Sequence, residues 1–406
     1  MNSLKKIYCR SFQTVFRTAI PFLPYREPKI IKNLRDVPDV LGRELVTGVL
    51  IVTDKGIRGC GLLSPLEEAL EHSGLRYVIY DGTVANPTTA NVNTAFRLYR
   101  ENNCQAIIGF GGGSSMDCAK AVGARAACHG KSLSWMKGIL KVRHTLPPLI
   151  AVPTTAGTGS ETTLAAVIVD SKTRHKYVIN DFPLIPKYAV LDPSVTLSLP
   201  PMVTATTGMD ALTHAVEAYI GRSTTRKTRR RALSAVKLIF ENLDAAYTDG
   251  GDIKARADML LAAYDAGCAF TVSYVGYIHA VAHSLGGQYN IAHGLANAVL
   301  LPFVLEEYGS VIYPKLKDLA VAAGVASAHT PADQAAADFI QAIKDMKKRF
   351  GIGYTFPELR EEDIPKMAKY ADREANPLYP VPVLMDAEEL EALYRLVLPS
   401  AQQSTH

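Results

Sequence analysis

Apolar and polar positions follow two different rhythms along this chain. In the first half, short apolar runs at 49–52, 77–80, 106–110 and 149–152 are bounded by turn residues and separated by amphipathic stretches at 64–73 and 88–102. Unbroken runs of four or five apolar residues mark strands buried on both faces, and the amphipathic stretches between them supply the covering helices. The pattern predicts βαβ units around a parallel sheet. Further β-like runs follow at 166–169, 177–179 and 188–191. After Leu199-Pro200-Pro201 the strand pattern stops. Ala/Leu-rich segments with helical spacing then cover 204–220, 227–246, 253–284, 332–349 and 387–397. Neither proline continues a helix or a ladder, so the pair marks a boundary. The expected architecture is an N-terminal α/β domain with a parallel sheet over 1–199, opening with a basic extension at 1–28. An all-α domain is expected over 200–406.

Composition narrows the class. A chain of 406 residues, 48% hydrophobic and 20% charged, is globular, long enough for two cores, and has no uncharged apolar run of about twenty residues to span a membrane. The net charge of +5 is mild and dispersed, apart from Arg226-Lys227-Thr228-Arg229-Arg230-Arg231. That run is expected to be a solvated helix face, which leaves no basis for a nucleic-acid partner. The six cysteines form no CxxC pair, as expected of a protein from a reducing cytoplasm. The N-terminus is basic and has no acidic residue before Glu27, but it is aromatic-rich and ends in Pro21, Pro24 and Pro28. We read it as retained, packed structure rather than a removable presequence.

Two clusters carry candidate chemistry. The run 106–110 leads into Gly111-Gly112-Gly113-Ser114-Ser115, with a helix expected from Met116. Strand, glycine turn and helix N-terminus form an anion site, because unpaired first-turn N–H groups point at a phosphate that glycine lets approach. The pattern is neither G-x-G-x-x-G nor a P-loop. Thr154, Thr155 and Thr158 follow the next strand and offer hydroxyls to phosphate or ribose. Asp54 lies just past the first long strand, where a carboxylate binds a ribose diol and repels a 2′-phosphate, favouring NAD over NADP; its alternative task is a turn before Gly56.

The second cluster lies beyond the prolines. Asp210 and His214 are i and i+4 in a helix expected from Asp210 onward, so both face one side. Their plainer reading is an N-cap Asp and an unrelated helical His. His279 and His283 fall on one face of a buried helix over 262–284, expected to end at Gly286-Gly287, and His293 stands before Gly294 at the start of another helical run. Asp210 and His214 with two of these three histidines make an N3O site suited to Fe(II) or Zn(II).

Four motifs occur in order: G-G-G-S-x-x-D at 111–117, P-T-T-x-G-T-x-S-E at 153–161, G-x-D-A-L-T-H-A-x-E at 208–217, and H-x-x-x-H followed by H-G-x-A-N at 279–297. On these motifs the chain resembles the iron-containing (group III) alcohol dehydrogenases over roughly residues 30 to 400. The resemblance implies that Asp210, His214, His279 and His293 hold the ion, and that His283 lies near the nicotinamide and acts in catalysis or proton relay. It implies NAD contacts at Asp54, Asn86, Gly112, Gly113, Ser114, Thr154, Thr155, Thr158 and Leu191, with Asp117 at a cofactor-site position and a catalytic candidate. A small alcohol or aldehyde substrate and a homodimer or larger homo-oligomer follow as expectations. Ala165 stands where diol and lactaldehyde reductases of the family have Asn, whereas Phe270 matches an aromatic of their substrate cavity, which points to a less polar pocket. The 375–382 segment is expected to form a wall of the cleft.

The weighed alternatives are a polyol dehydrogenase, a dehydroquinate-synthase-like lyase and a non-catalytic nucleotide sensor. The motif regions lack the Lys/Arg cluster that a sugar-phosphate lyase needs, and a sensor has little need of an open Lewis-acid site.

Overall fold

The computed structural model describes residues 1–399, so 400–406 of the expected C-terminal domain lie outside the described residues. The chain divides into two compact units, Pro24–Ser198 and Leu199–His406 with Met1–Leu23.

The α/β unit is built on six parallel strands in the order β1-β9-β6-β4-β2-β3. These are β1 (Lys29–Ile31), β2 (Gly48–Val52), β3 (Arg76–Tyr80), β4 (Ala106–Gly111), β6 (Leu149–Pro153) and β9 (Tyr188–Val190). The helices α2 (Val37–Arg43), α3 (Lys55–Gly59), α4 (Ser64–His72), α5 (Thr89–Glu101) and α6 (Gly113–Ala127) connect them. Each apolar run feeds both faces of the sheet. Leu50, Val52 and Ile107 pack into one core, while Val49, Ile51, Ile108 and Phe110 pack into the other. The runs at 166–169 and 177–179 take a different course. They form β7 (Ala165–Val169) and β8 (Lys176–Asn180), an antiparallel pair joined by β5 (Gly138–Ile139) in a separate three-stranded sheet.

The second unit is helical: α7 (Pro201–Ile220), α8 (Arg226–Thr248), α9 (Ile253–Ser273), α10 (Tyr277–Tyr289), α11 (His293–Tyr308), α12 (Tyr313–Ala322), α13 (Ala332–Arg349), α14 (Ile364–Ala375) and α15 (Ala387–Arg395). Pro201 takes the first helical position of α7, where its missing N–H is no loss. The helix expected over 253–284 is two helices, α9 and α10, bent by 102° across Tyr274-Val275-Gly276. Gly286 and Gly287 do not end α10; Asn290 closes it in a left-handed conformation. Among the described residues, no single helix is long and apolar enough to cross a membrane.

The N-terminal residues are not an extension of the α/β unit. Helix α1 (Ser3–Ala19) belongs to the helical unit, because the irregular 376–382 segment there leaves backbone carbonyls in need of donors. Gln13 Nε2 donates to the Tyr379 carbonyl at 2.7 Å, and the Arg10 guanidinium donates to the carbonyls of Val381 and Pro382, each at 2.7 Å. Lys5 Nζ pairs with Asp372 at 2.7 Å.

The two-faced sheet core sets a stability test. Ile108→Ala, at a fully buried position, is expected to cost about 2–5 kcal/mol in a denaturant titration. Ile30→Ala, at a position 42% exposed, should stay within about 0.5 kcal/mol.

Candidate metal centre and nucleotide cradle

In the α/β unit the expected nucleotide residues collect at one sheet edge. Because the strands are parallel, the ends of β2, β4, β6 and β9 deliver Asp54, Gly112-Gly113-Ser114, Thr154-Thr155 and Leu191 to the same side. The chain goes from β2 out to β3, then returns to β4 on the far side of β2. Such a reversal opens a crevice beyond the strand ends, and Asp54 and the glycine turn flank it. Gly111 sits at φ +145°, a strained region for any side chain, and a Cβ there would lie 2.7 Å from Ser115 Oγ. Helix α6 starts at Gly113, three residues earlier than expected, and no side chain caps it. Its first N–H groups are therefore presented at the turn.

The side chains around this turn fit a bound polar group. Thr155 Oγ1 is buried with no hydrogen-bond partner and faces Gly112. A buried hydroxyl without a partner is costly unless a ligand supplies one. Thr158 packs on Gly113, and its Oγ1 accepts from the Ser160 N–H at 3.3 Å. The Thr154 N–H donates to the Gly111 carbonyl at 3.1 Å, and that of Leu191 to the Ile31 carbonyl at 2.8 Å. Asn86, at φ +55°, donates its N–H to Ser114 Oγ at 3.3 Å and accepts from Lys176 at 2.7 Å. Asp54 takes the turn task foreseen for it. It caps α3 by accepting the Ile57 N–H at 3.0 Å, and it accepts Ser115 Oγ at 3.3 Å beside the crevice.

Asp117, the catalytic candidate of this unit, is engaged in a brace. Its oxygens accept Ser160 Oγ at 2.8 Å and the Val167 N–H at 3.0 Å, bracing the 153–161 loop. Lys120, one turn on and fully buried, completes the brace by donating to Ser160 Oγ, Thr163 Oγ1 and the Ala165 carbonyl at 3.1, 2.7 and 2.9 Å. Burial pushes this ammonium down to about 8.

In the helical unit, four expected ligands come together from three helices. Asp210 and His214 lie mid-way along α7 rather than at its start, which removes the N-cap reading. His279 comes from α10, and His293 is the first residue of α11. One ligand atom from each lies within 4.8 Å of all the others. The donor set is N3O, and Asp210, His214 and His279 are buried. Burial, then the neighbouring imidazoles of His214, His293 and His283, pushes His279 well below the usual histidine range, so it stands as a neutral ligand.

Two residues missed in the sequence organise three of these four. Glu217, on α7, accepts the N–H groups of Gly276 and Ile278 at 2.8 Å each, and its Oε2 lies 2.6 Å from His279 Nδ1. With Nδ1 donating there, Nε2 keeps its lone pair for the cluster. Burial pushes Glu217 up to about 8, but all three partners are donors, so the carboxylate is the form they fit. Asn297, on α11 one turn after His293, places Nδ2 at 2.7 Å from Asp210 Oδ1, 3.2 Å from His279 Nε2 and 3.1 Å from His293 Nε2. Its Oδ1 is buried without a partner. Acceptor atoms of three candidate ligands thus converge on one point, as a cation requires.

His283 stands apart from the ligand set. It is 44% exposed, its ring stacks on that of His293 with centroids 5.1 Å apart, and its Nδ1 lies 2.6 Å from Glu374 Oε1. Phe270 stacks on His214 at 4.2 Å. The contacts of the 375–382 segment, unreadable from sequence, include Tyr379 OH donating to Glu374 at 2.7 Å.

Known proteins match both parts of the chain. Residues 28–193 match the family model for iron-containing alcohol dehydrogenase, and residues 204–398 match the model for the family's C-terminal part. The chain belongs to the iron-containing alcohol dehydrogenase family. It is 38% identical over 367 residues to a 1,3-propanediol dehydrogenase of Citrobacter freundii, covering 89% of this chain and 94% of that one. It is 37% identical over 324 residues to a NAD-dependent methanol dehydrogenase of Bacillus methanolicus, covering 79% and 85%. A crystal structure of a 1,3-propanediol oxidoreductase superposes with a TM-score of 0.87 at 35% identity, covering 92% of this chain and 98% of that one. This member of the family is thus an NAD-linked, metal-dependent alcohol oxidoreductase.

Glu217 gives the centre a test of its own. Glu217→Ala is expected to weaken metal retention roughly 10–100-fold in chelator competition. Unchanged retention would show that His279 needs no orienting carboxylate.

Proposed function

We propose that the enzyme interconverts small primary alcohols and aldehydes with NAD(H), and that Fe(II) is its resident ion, Zn(II) being accepted by the same donors. The observation that carries this reading is the convergence of Asp210, His214, His279 and His293 in a chain whose other unit carries a nucleotide cradle. When bound, the ion supplies Lewis acidity toward a substrate oxygen, and the nicotinamide gives or takes hydride.

The chain's own residues divide the remaining work. Asp210, His214, His279 and His293 hold the ion, and Glu217 keeps His279 in the ligating tautomer. Phe270, stacked on His214, lines the ligand cluster with an apolar face. His283, beside His293 and open to solvent, exchanges the substrate proton at Nε2. Asp54, Asn86, Gly112, Gly113, Ser114, Thr154, Thr155, Thr158 and Leu191 receive the dinucleotide, and Asp54 favours NAD over NADP. The six free cysteines, five of them buried, support a reducing cytoplasm. A homo-oligomer is part of the same proposal.

NADH oxidation with short aldehydes tests the reading. Turnover should vanish on chelation and return with Fe(II) or Zn(II); a lyase or a sensor would show none at any stage. His279→Ala should lose metal and turnover together, whereas His283→Ala should keep the metal and lose roughly 10²–10⁴-fold in kcat. Loss of metal in both variants would refute the division of roles.

Cofactor choice is a separate measurement. Asp54→Gly should narrow the NADH-over-NADPH ratio of kcat/KM, since glycine is tolerated at a helix cap at little cost. An unchanged ratio would remove Asp54 from ribose recognition.

A further inference from the structure

His279 and His283 lie one turn apart on α10, and each places Nδ1 at 2.6 Å from a carboxylate. The two carboxylates come from different parts of the chain. Glu217 is on α7 and buried; Glu374 is at the end of α14 and partly open to solvent. The first pairing is that of an oriented metal ligand, and the second serves a residue outside the ligand set. His283 is 44% exposed, and a ring in contact with water has no intrinsic preference that keeps one nitrogen pointing one way.

Glu374 is itself braced. Its Oε1 accepts from both His283 Nδ1 and Tyr379 OH, at 2.6 and 2.7 Å. Tyr379 is buried, and its carbonyl accepts Gln13 Nε2 from α1 at 2.7 Å. Its ring lies 6.5 Å from that of Tyr274, which Phe16 of α1 meets edge-on at 5.2 Å. Arg10 holds two further carbonyls, those of Val381 and Pro382. A continuous run of contacts therefore leads from the N-terminal helix through Tyr379 and Glu374 to His283.

We propose that Glu374 is a positioning residue that holds His283 as the Nδ1–H tautomer with Nε2 turned to the reaction, and that Tyr379 and helix α1 hold Glu374 for this task. The importance of this for turnover rests on the role proposed above for His283, whereas the positioning itself is a property of these side chains. Glu374 contacts neither ion nor substrate in this scheme. A carboxylate on Nδ1 of an acting imidazole serves by fixing tautomer and ring plane.

The test uses the full-length, zinc-loaded enzyme. With ¹⁵N-labelled histidine rings, at about two pH units above the ordinary imidazole value near 6.5, NMR should show one Nδ1–H signal that is lost in His283→Ala. That signal should persist in Glu374→Gln, which keeps an acceptor oxygen, and give way to exchanging tautomers in Glu374→Leu. In kinetics, Glu374→Leu should lower kcat roughly 10–100-fold with KM and metal content little changed, and Glu374→Gln should recover most of the loss. Glu374→Leu should cost nothing further in the His283→Ala background, because it acts through that ring. An Nε2–H ring in the wild type overturns the proposal, and so does an equal kcat loss in the His283→Ala background. Full turnover in His283→Ala with the wild-type Nδ1–H signal present would defeat the catalytic reading of His283 and still support its positioning by Glu374.

Discussion

The helical unit depends on one buried carboxylate. Glu217 is 3% exposed, and taking such a charge out of water costs several kcal/mol unless its lone pairs are filled. They are filled by the N–H groups of Gly276 and Ile278 and by His279 Nδ1. Two of these donors are amides at the start of α10, so the carboxylate takes the place of a capping side chain. For those amides to point back at α7, the chain must leave α9 and turn through 102°. Tyr274 takes φ +62° in that turn, and Gly276 carries no Cβ because one would stand 2.7 Å from Glu217 Oε1. The same bond that starts the helix therefore aims its first histidine. Since α7 also carries Asp210 and His214, one helix supplies two candidate ligands and directs a third.

The nucleotide cradle is organised on different physics. Its donors are backbone amides and small hydroxyls at the ends of parallel strands, placed by the sheet and by glycine, with Asp117 and Lys120 locking the loops from beneath. Such a site is shaped before any ligand arrives, because its geometry is that of the core that supports it. The metal centre instead gathers side chains from three helices, and its acceptors converge so closely that Asn297 Nδ2 lies among three of them. Like acceptors crowded together in a buried place are unfavourable without a shared donor or cation. The cradle is thus stable as a fold and the centre is stable as a binding site, and hydride transfer to or from an alcohol carbon requires both chemistries.

Much of this was legible because it is periodic or local. The buried runs at 49–52, 106–110 and 149–152 announced the parallel sheet, since their residues alternate between its two cores. The i, i+4 pair Asp210 and His214 announced its shared face. Glu217, at i+3 from His214, and Asn297, at i+4 from His293, obeyed the same spacing and were legible in principle. The bend at 274–276 was not, because 262–284 contains no proline and is mostly apolar; it is fixed by contacts with a residue some sixty positions earlier. Gly286 and Gly287 misled for the opposite reason: glycine lowers helix propensity, but burial of the preceding face carried α10 past them. The attachment of α1 to 372–382 joins residues more than 360 positions apart, beyond any local pattern.

On the roles proposed for them, the two histidines of α10 show how little separates a ligand from a working residue. Both have a carboxylate on Nδ1, and both sit among the same cluster of rings, with centroids 6.0 Å apart. They differ in burial and in what holds the carboxylate. His279 is buried, and Glu217 is fixed by two amides of the very helix it starts, so the pair is as rigid as the fold. His283 is open to solvent, and Glu374 is held by a tyrosine on an irregular segment that α1 fastens from outside. A ligand needs a lone pair that never moves. A proton carrier needs an orientation that is set and a path to water, and an exposed ring with a braced carboxylate supplies both. On the positioning proposed for Glu374, that brace ends in α1, which ties the basic N-terminal segment to the orientation of His283.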